Sequence, residues 1–246
     1  MPAATAKIQS AAGAKTTLAS AAYDRLRRDI LHGVLRPGER LRLQQLGETY
    51  GVGMSALREA LSRLVGDNIV HFEDRRGFAV PEINPETLTD LLEMRMLLEE
   101  RALRESIARG GVDWEVDVMA AFHRLSRSSE LRKNPDKHDD TWERDHHAFH
   151  RALVSGYDFP LLHQFREIVM AHSDRYRHIY WQYAAHGRDA LSEHRAIMEA
   201  ALRRDADRTV ALMRDHLRRT VDALLAAGFG RDTAPPRRRR AASGRR

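Results

Sequence analysis

The stretch Leu46-Gly-Glu-Thr-Tyr-Gly-Val-Gly-Met-Ser-Ala-Leu-Arg-Glu-Ala-Leu-Ser-Arg-Leu64 restricts this chain more than any other. It reads as a short helix, a Gly-containing turn and a second helix. On a helical wheel of residues 54–66, Leu57, Ala60, Leu61 and Leu64 share one arc, while Ser55, Arg58, Glu59, Ser62 and Arg63 fall on the other. Any amphipathic helix with a solvated face would give that wheel, so the order of elements decides. A helix over 19–32 carries Ala22, Leu26 and Ile30, and Pro37-Gly38 turns the chain. Helices over 43–50 and 54–66 follow. Ile69 to Phe72 and Phe78 to Val80 then flank a turn at Asp74-Arg75-Arg76-Gly77, which predicts a two-stranded wing. The sum is a winged helix-turn-helix, whose second helix is shaped for a DNA major groove.

Downstream, Asn84-Pro85 pairs an N-cap with a proline at the first helical position. Helical patterns then run over 85–109, 114–130, 138–155, 159–183, 188–203 and 206–227. The breaks fall at Gly110-Gly111, Asn134-Pro135, Gly156, His186-Gly187 and Asp205. The expected fold is mainly α. A winged helix-turn-helix spans 18–81, a linker 82–86 and an all-α bundle of about six helices 87–228, between disordered tails at 1–17 and 229–246.

Residues 231–246 hold seven arginines and one aspartate, so the formal net charge of +6 resides in the tail. With no cysteine, disulfides and thiolate metal sites are excluded. No signal peptide or run of ~20 apolar residues appears, so a cytoplasmic protein with no membrane partner is expected.

Thirteen histidines are many for 246 residues. His146 and His150 stand four apart on a stripe with Phe149, Leu153 and Val154. His194 shares a stripe with Leu191, Ile197 and Met198, and His216 lies beside Leu212 and Met213. A lone inward histidine is usually a hydrogen-bonded core side chain. Four of them on three apolar stripes predict a metal site, because an i, i+4 pair presents two imidazoles on one face. Asp145 stands about 140° from His150 around the helix, against about 40° for His146 (at ~3.6 residues per turn), so the geometry prefers His146. Arg95 and Glu99 intrude on the stripe of Leu88, Leu91, Leu92, Leu98 and Ala102, as a buried ion pair or as an arginine aimed at an anionic ligand. Arg175, Arg177 and Tyr180 are further anion-binding candidates, or members of an outward basic stripe. At the DNA face the candidates are Ser55, Arg58 and Arg63 on the helix and Arg75, Arg76 and Gly77 on the wing.

Residues 20–80 resemble the winged head of the GntR family of bacterial transcription regulators. The resemblance rests on Tyr23-Asp-Arg-Leu-Arg-Arg-Asp-Ile30, Gly33-Val-Leu-Arg-Pro-Gly-Glu-Arg-Leu41, Leu46 to Val52, Leu57-Arg-Glu-Ala-Leu61 and Arg76-Gly77. The family's operator-contacting arginine is replaced here by Met54. Residues 85–227 resemble the FCD effector domain of the FadR subfamily through Met94-Arg95 with Glu99, Phe149-His150, Glu193-His194-Arg-Ala-Ile197 and Met213-Arg-Asp-His216. That resemblance implies a divalent metal on His150, His194 and His216, with an organic acid completing the coordination. The family's aspartate ligand is His146 here. An all-imidazole set favours Zn²⁺ or Ni²⁺ and strengthens the pull on an anionic effector. Met54 and His146 together resemble a branch of the family that controls dicarboxylate use in response to glutarate.

The function expected is therefore a homodimeric, ligand-responsive transcription regulator, a repressor with no catalytic residues. It would bind a double-stranded DNA operator and a small carboxylate, with a dicarboxylate one candidate. The alternatives are a metal-dependent hydrolase-like enzyme carrying a DNA-binding head, and an architectural DNA-binding protein that leans on its arginine tail.

Overall fold

The computed structural model describes residues 17–131, 140–184 and 188–228, with side chains described outside 179–187 and 227–228. The two tails, and the breaks expected at Asn134-Pro135 and His186-Gly187, lie outside the described residues.

α1 (Leu18–Leu31) starts where the Thr17 side chain accepts a hydrogen bond from the Ser20 amide, and it buries Ala22, Leu26 and Ile30 completely. α2 (Leu43–Tyr50) stops at Gly51, whose φ of 67° is the left-handed conformation that a residue without Cβ adopts at least cost. α3 (Met54–Gly66) follows after Val52 and Gly53. Leu57, Ala60, Leu61 and Leu64 are fully buried against α1, as their arc predicts. Burying each leucine contributes about 1.5–3 kcal/mol.

The wing is β2 (His71–Glu73) against β3 (Gly77–Ala79), antiparallel, with Phe72 facing Phe78. β3 also pairs with β1 (Arg40–Leu41), giving the order β1-β3-β2. That third strand was not expected, because two residues cannot display an alternation. The first wing strand also begins later than the expected Ile69. The Ile69 and Val70 amides both donate to the Leu64 carbonyl, and their side chains fill the core of the head.

α4 (Pro85–Arg109) begins inside the expected linker of 82–86, because Asn84 Oδ1 accepts the Thr87 amide at 2.7 Å and stops the extended chain there. Five more helices complete the bundle: α5 (Val112–Leu131), α6 (Asp140–Val154), α7 (Pro160–Ala184), α8 (Ala190–Leu202) and α9 (Ala206–Gly228). Their main core joins Leu103, Val118, Leu125, Phe149, Leu153, Ile197, Ala201 and Met213. Trp114 Nε1 donates to the Ala152 carbonyl at 2.9 Å and ties α5 to α6. Gly156 lets the end of α6 cross α4 closely, since a Cβ there would lie 2.7 Å from the Ser106 carbonyl. Among the described residues no helix is long and apolar enough to cross a membrane.

Candidate functional site

The first candidate surface is the outer face of α3 with the wing. Ser55, Arg58, Glu59 and Ser62 are exposed, and Met54 is 47% exposed. Gly53 supplies no side-chain cap, so the first-turn amides of α3 stay open to a phosphate oxygen. Arg75 and Arg76 are exposed at the wing tip, where Arg76 Nη1 bonds Glu73 at 3.2 Å and Gly77 opens β3. Arg63 is exposed as well. Its guanidinium lies 4.3 Å over the Tyr23 ring and donates to Ser20 Oγ at 3.2 Å, so in this structure it braces α3 on α1.

The second candidate is inside the bundle. α6 brings His146 and His150, α8 brings His194 and α9 brings His216, and one ring nitrogen from each lies within 4.8 Å of all the others. All four are buried, His150 completely. His146 Nε2 and His150 Nε2 are 3.2 Å apart. Trp142 stacks on the outer side of His146 at 4.8 Å, and Phe149 closes another wall against His194. Burial pushes the imidazoles of His146, His150 and His194 well below their ordinary value of 6.5, and the neighbouring imidazoles push the same way. His216 is lowered too, by burial first, while Glu193 opposes the shift. Four neutral rings therefore point lone pairs or N–H groups at one centre.

His194 Nε2 has no hydrogen-bond partner, and such a buried orphan costs ~1–3 kcal/mol. A divalent cation satisfies such a set at once, so the residues fit a metal. Asp145, the competing carboxylate, is instead turned to Arg144 at 3.2 Å.

His216 is oriented from behind. Its Nδ1 lies 2.8 Å from Glu193 Oε2, which leaves Nε2 for the centre. Arg188 holds Glu193 and donates to the His216 carbonyl at 2.8 Å. Although burial raises it, hydrogen bonds from His216 and Arg188 take the Glu193 carboxyl well below the carboxylate range. A groove of about 620 Å³ lined by Arg188, Ser192, Glu193, His216 and Arg219 opens beside it.

Beneath the centre lie Arg95 and Glu99 of α4, both buried as the stripe predicts. Their ion pair is loose, with Arg95 Nε 3.9 Å from Glu99 and without a hydrogen-bond partner. Glu99 sits closer to Arg166 of α7, at 3.0 Å, and Arg166 Nη2 donates to the His150 carbonyl at 3.0 Å. Burial lowers the Arg95 guanidinium from its ordinary value, against the pull of Glu99. A small cavity of about 20 Å³ is lined by Arg95, Asp174, Arg177, Leu217 and Thr220.

Arg166 was missed in the sequence, although it stands four residues from both Leu162 and Met170 on their buried stripe. Arg177 is buried too, forked onto Glu143 at 2.7 and 2.6 Å and bonded to Asp174 at 2.9 Å. Although burial raises Glu143, Arg177 and His178 take it down to about 2. Arg175 lies elsewhere than expected. It donates to the Pro81 carbonyl at the foot of the head, so it faces the linker and not the histidines. The side chain of Tyr180 lies outside the described residues.

Two family models match the chain: "Bacterial regulatory proteins, gntR family" over residues 18–80 and "FCD domain" over residues 90–219. The chain is 34% identical over 214 residues to the HTH-type transcriptional regulator BphR of Paraburkholderia xenovorans, covering 87% of each chain. It is 34% identical over 212 residues to the HTH-type transcriptional repressor GlaR of Escherichia coli, covering 85% of this chain and 96% of that one. Among solved structures, E. coli McbR/YncC shares the fold with a TM-score of 0.70 at 19% identity, over 85% of this chain and 98% of that one.

Proposed function

Because this chain belongs to the GntR family of bacterial regulatory proteins and carries an FCD domain, we propose that it is a homodimeric transcriptional repressor governed by a metal-bound organic acid. Each winged head reads one half-site of an operator. Ser55 and Arg58 approach bases or phosphates, the α3 amides take a phosphate, and Arg75 and Arg76 reach the backbone beside the wing. Met54 replaces the arginine that the family resemblance expects there, so the operator differs from the family's usual one.

The convergence of four buried, neutral imidazoles carries the effector half of this reading. His146, His150, His194 and His216 would hold the ion, Zn²⁺ or Ni²⁺ by donor type. The ion supplies positive charge to which a carboxylate can bind. Arg95, buried with an unpartnered Nε and only loosely paired with Glu99, supplies a second positive group for the same anion. The four-histidine set contains no carboxylate, which favours an acid of higher charge, such as a dicarboxylate. The acid changes operator affinity through its differential interaction with two placements of the head.

A hydrolase is less well supported. The carboxylates near the centre are each held by cations: Glu99 is ion-paired with Arg166, Glu143 with Arg177, and Glu193 with Arg188 beside His216. A carboxylate held in this way is a poor general base. A thermal-shift panel of mono- and dicarboxylates, with and without a chelator, tests the proposal. A stabilisation confined to one acid class and abolished by chelation is expected. No response to any acid would sink the sensor reading.

A further inference from the structure

α7 touches both the histidine centre and the head. On its inner side, Arg166 holds the carbonyl of His150 and lies against Glu99. Two and three turns later, Asp174 Oδ2 lies 2.8 Å from His147 Nε2 and Arg177 grips Glu143, so α7 is bonded to the very turns of α6 that carry His146 and His150.

Its other side meets the head at three residues spaced three apart, which is one face of a helix. His172 Nε2 donates to the Asp67 carbonyl, the residue that caps α3, at 3.2 Å. Arg175 donates to the Pro81 carbonyl, where the wing passes into the linker. His178 packs edge-on against His32, the cap of α1, with ring centres 4.9 Å apart. The Tyr23 hydroxyl donates to the Asp67 side chain, so α1 and α3 move as one body at that point. The recognition helix, the wing and the first helix of the head are thus each met, just beyond their ends, by a single helix of the body.

We propose that α7 is the strut that sets the head on the effector domain, with His172 and Arg175 as its positioning residues. It rests on the reading of the histidine centre as the effector site. A shift of the α6 backbone at His150 moves Arg166, and with it the helix on which α3 and the wing are held. Neither His172 nor Arg175 belongs to the histidine centre. Both grip backbone carbonyls, so only a hydrogen-bond donor of similar reach is needed at each place.

The test is the double variant His172→Ala/Arg175→Ala, with His172→Gln/Arg175→Lys as the donor-preserving control. The chain has no cysteine, so spin labels can be placed at exposed Val34 in the head and Val112 in the body. Labelled chains are diluted in unlabelled ones, and the distance distribution is measured with zinc bound.

A narrow distribution is expected in the parent and the control, and a broad one in the alanine variant at unchanged zinc affinity. Operator affinity of the alanine variant should then lose its dependence on the acid. A distribution as narrow in the alanine variant as in the parent would overturn the strut. If the parent's operator affinity ignores both metal and acid, the effector reading fails instead, and the label distances still decide the strut.

Discussion

The head and the body solve the problem of polar groups in opposite ways. In the head, the buried set is apolar from Ala22 to Val80, apart from the Tyr50 ring, whose hydroxyl donates to Asp29 at 2.6 Å. Among the described residues every buried charged side chain and every buried histidine lies at or beyond Arg95, in the body. A surface that reads DNA needs a rigid support and outward charge, which an apolar core provides cheaply. A site that senses an anion must hold charge and lone pairs away from water, and it loses stability in doing so. The body carries that loss at His146, His150, His194, Arg95 and Arg166.

Acidification should separate the two regions most. In the metal-free protein the four imidazoles are held below 6.5 when folded but titrate near 6.5 when unfolded. The unfolded chain therefore binds more protons below pH 6.5, and stability falls as pH falls through that value. Each neutral histidine contributes up to about 1.4 kcal/mol per pH unit. Melting of the metal-free body at pH 7.5 and 5.5 should show a loss larger than His150→Leu/His194→Leu retains, and equal losses in both would contradict the buried, neutral cluster.

Leu61→Ala should cost the head about 2–5 kcal/mol, since the residue is fully buried. Zinc affinity should not change. Calorimetry that shows the body melting earlier as well would mean that the two cores are not independent.

Glu193→Gln should weaken zinc binding by about 10–100-fold without unfolding α8, because the glutamate orients His216 from behind. Competition titration against a chromogenic chelator measures it. An unchanged affinity would remove Glu193 from the site.

Arg58→Ala should cost operator binding about 1–3 kcal/mol and leave melting within about 0.5 kcal/mol, read by fluorescence anisotropy. Arg63→Ala should do the reverse, because Arg63 braces Tyr23 and Ser20.

The same contrast governs what the sequence makes legible. Helix periods and turn residues place α1 to α3, the wing turn and the bundle within a residue or two, because an apolar stripe is a local pattern. The four histidines are visible for the same reason, each lying on such a stripe. β1 is not legible, since Arg40 and Leu41 become a strand only by meeting β3. Arg63 and Arg175 were placed by their charge, yet what fixes them is a partner far along the chain: Tyr23 and Ser20 for one, Pro81 for the other. Arg166 carried a readable signal, an arginine on the stripe of Leu162 and Met170, and only its partners Glu99 and His150 required the fold.

The decisive measurement is operator affinity of the full chain by anisotropy, with zinc and a panel of dicarboxylates, beside the His194→Ala variant. Coupling between such sites is commonly about 5–150-fold. A change of that order by one acid in the parent, lost in His194→Ala and on chelation, is the expected result. An operator affinity that is the same in all these conditions would contradict control of the head from the histidine centre.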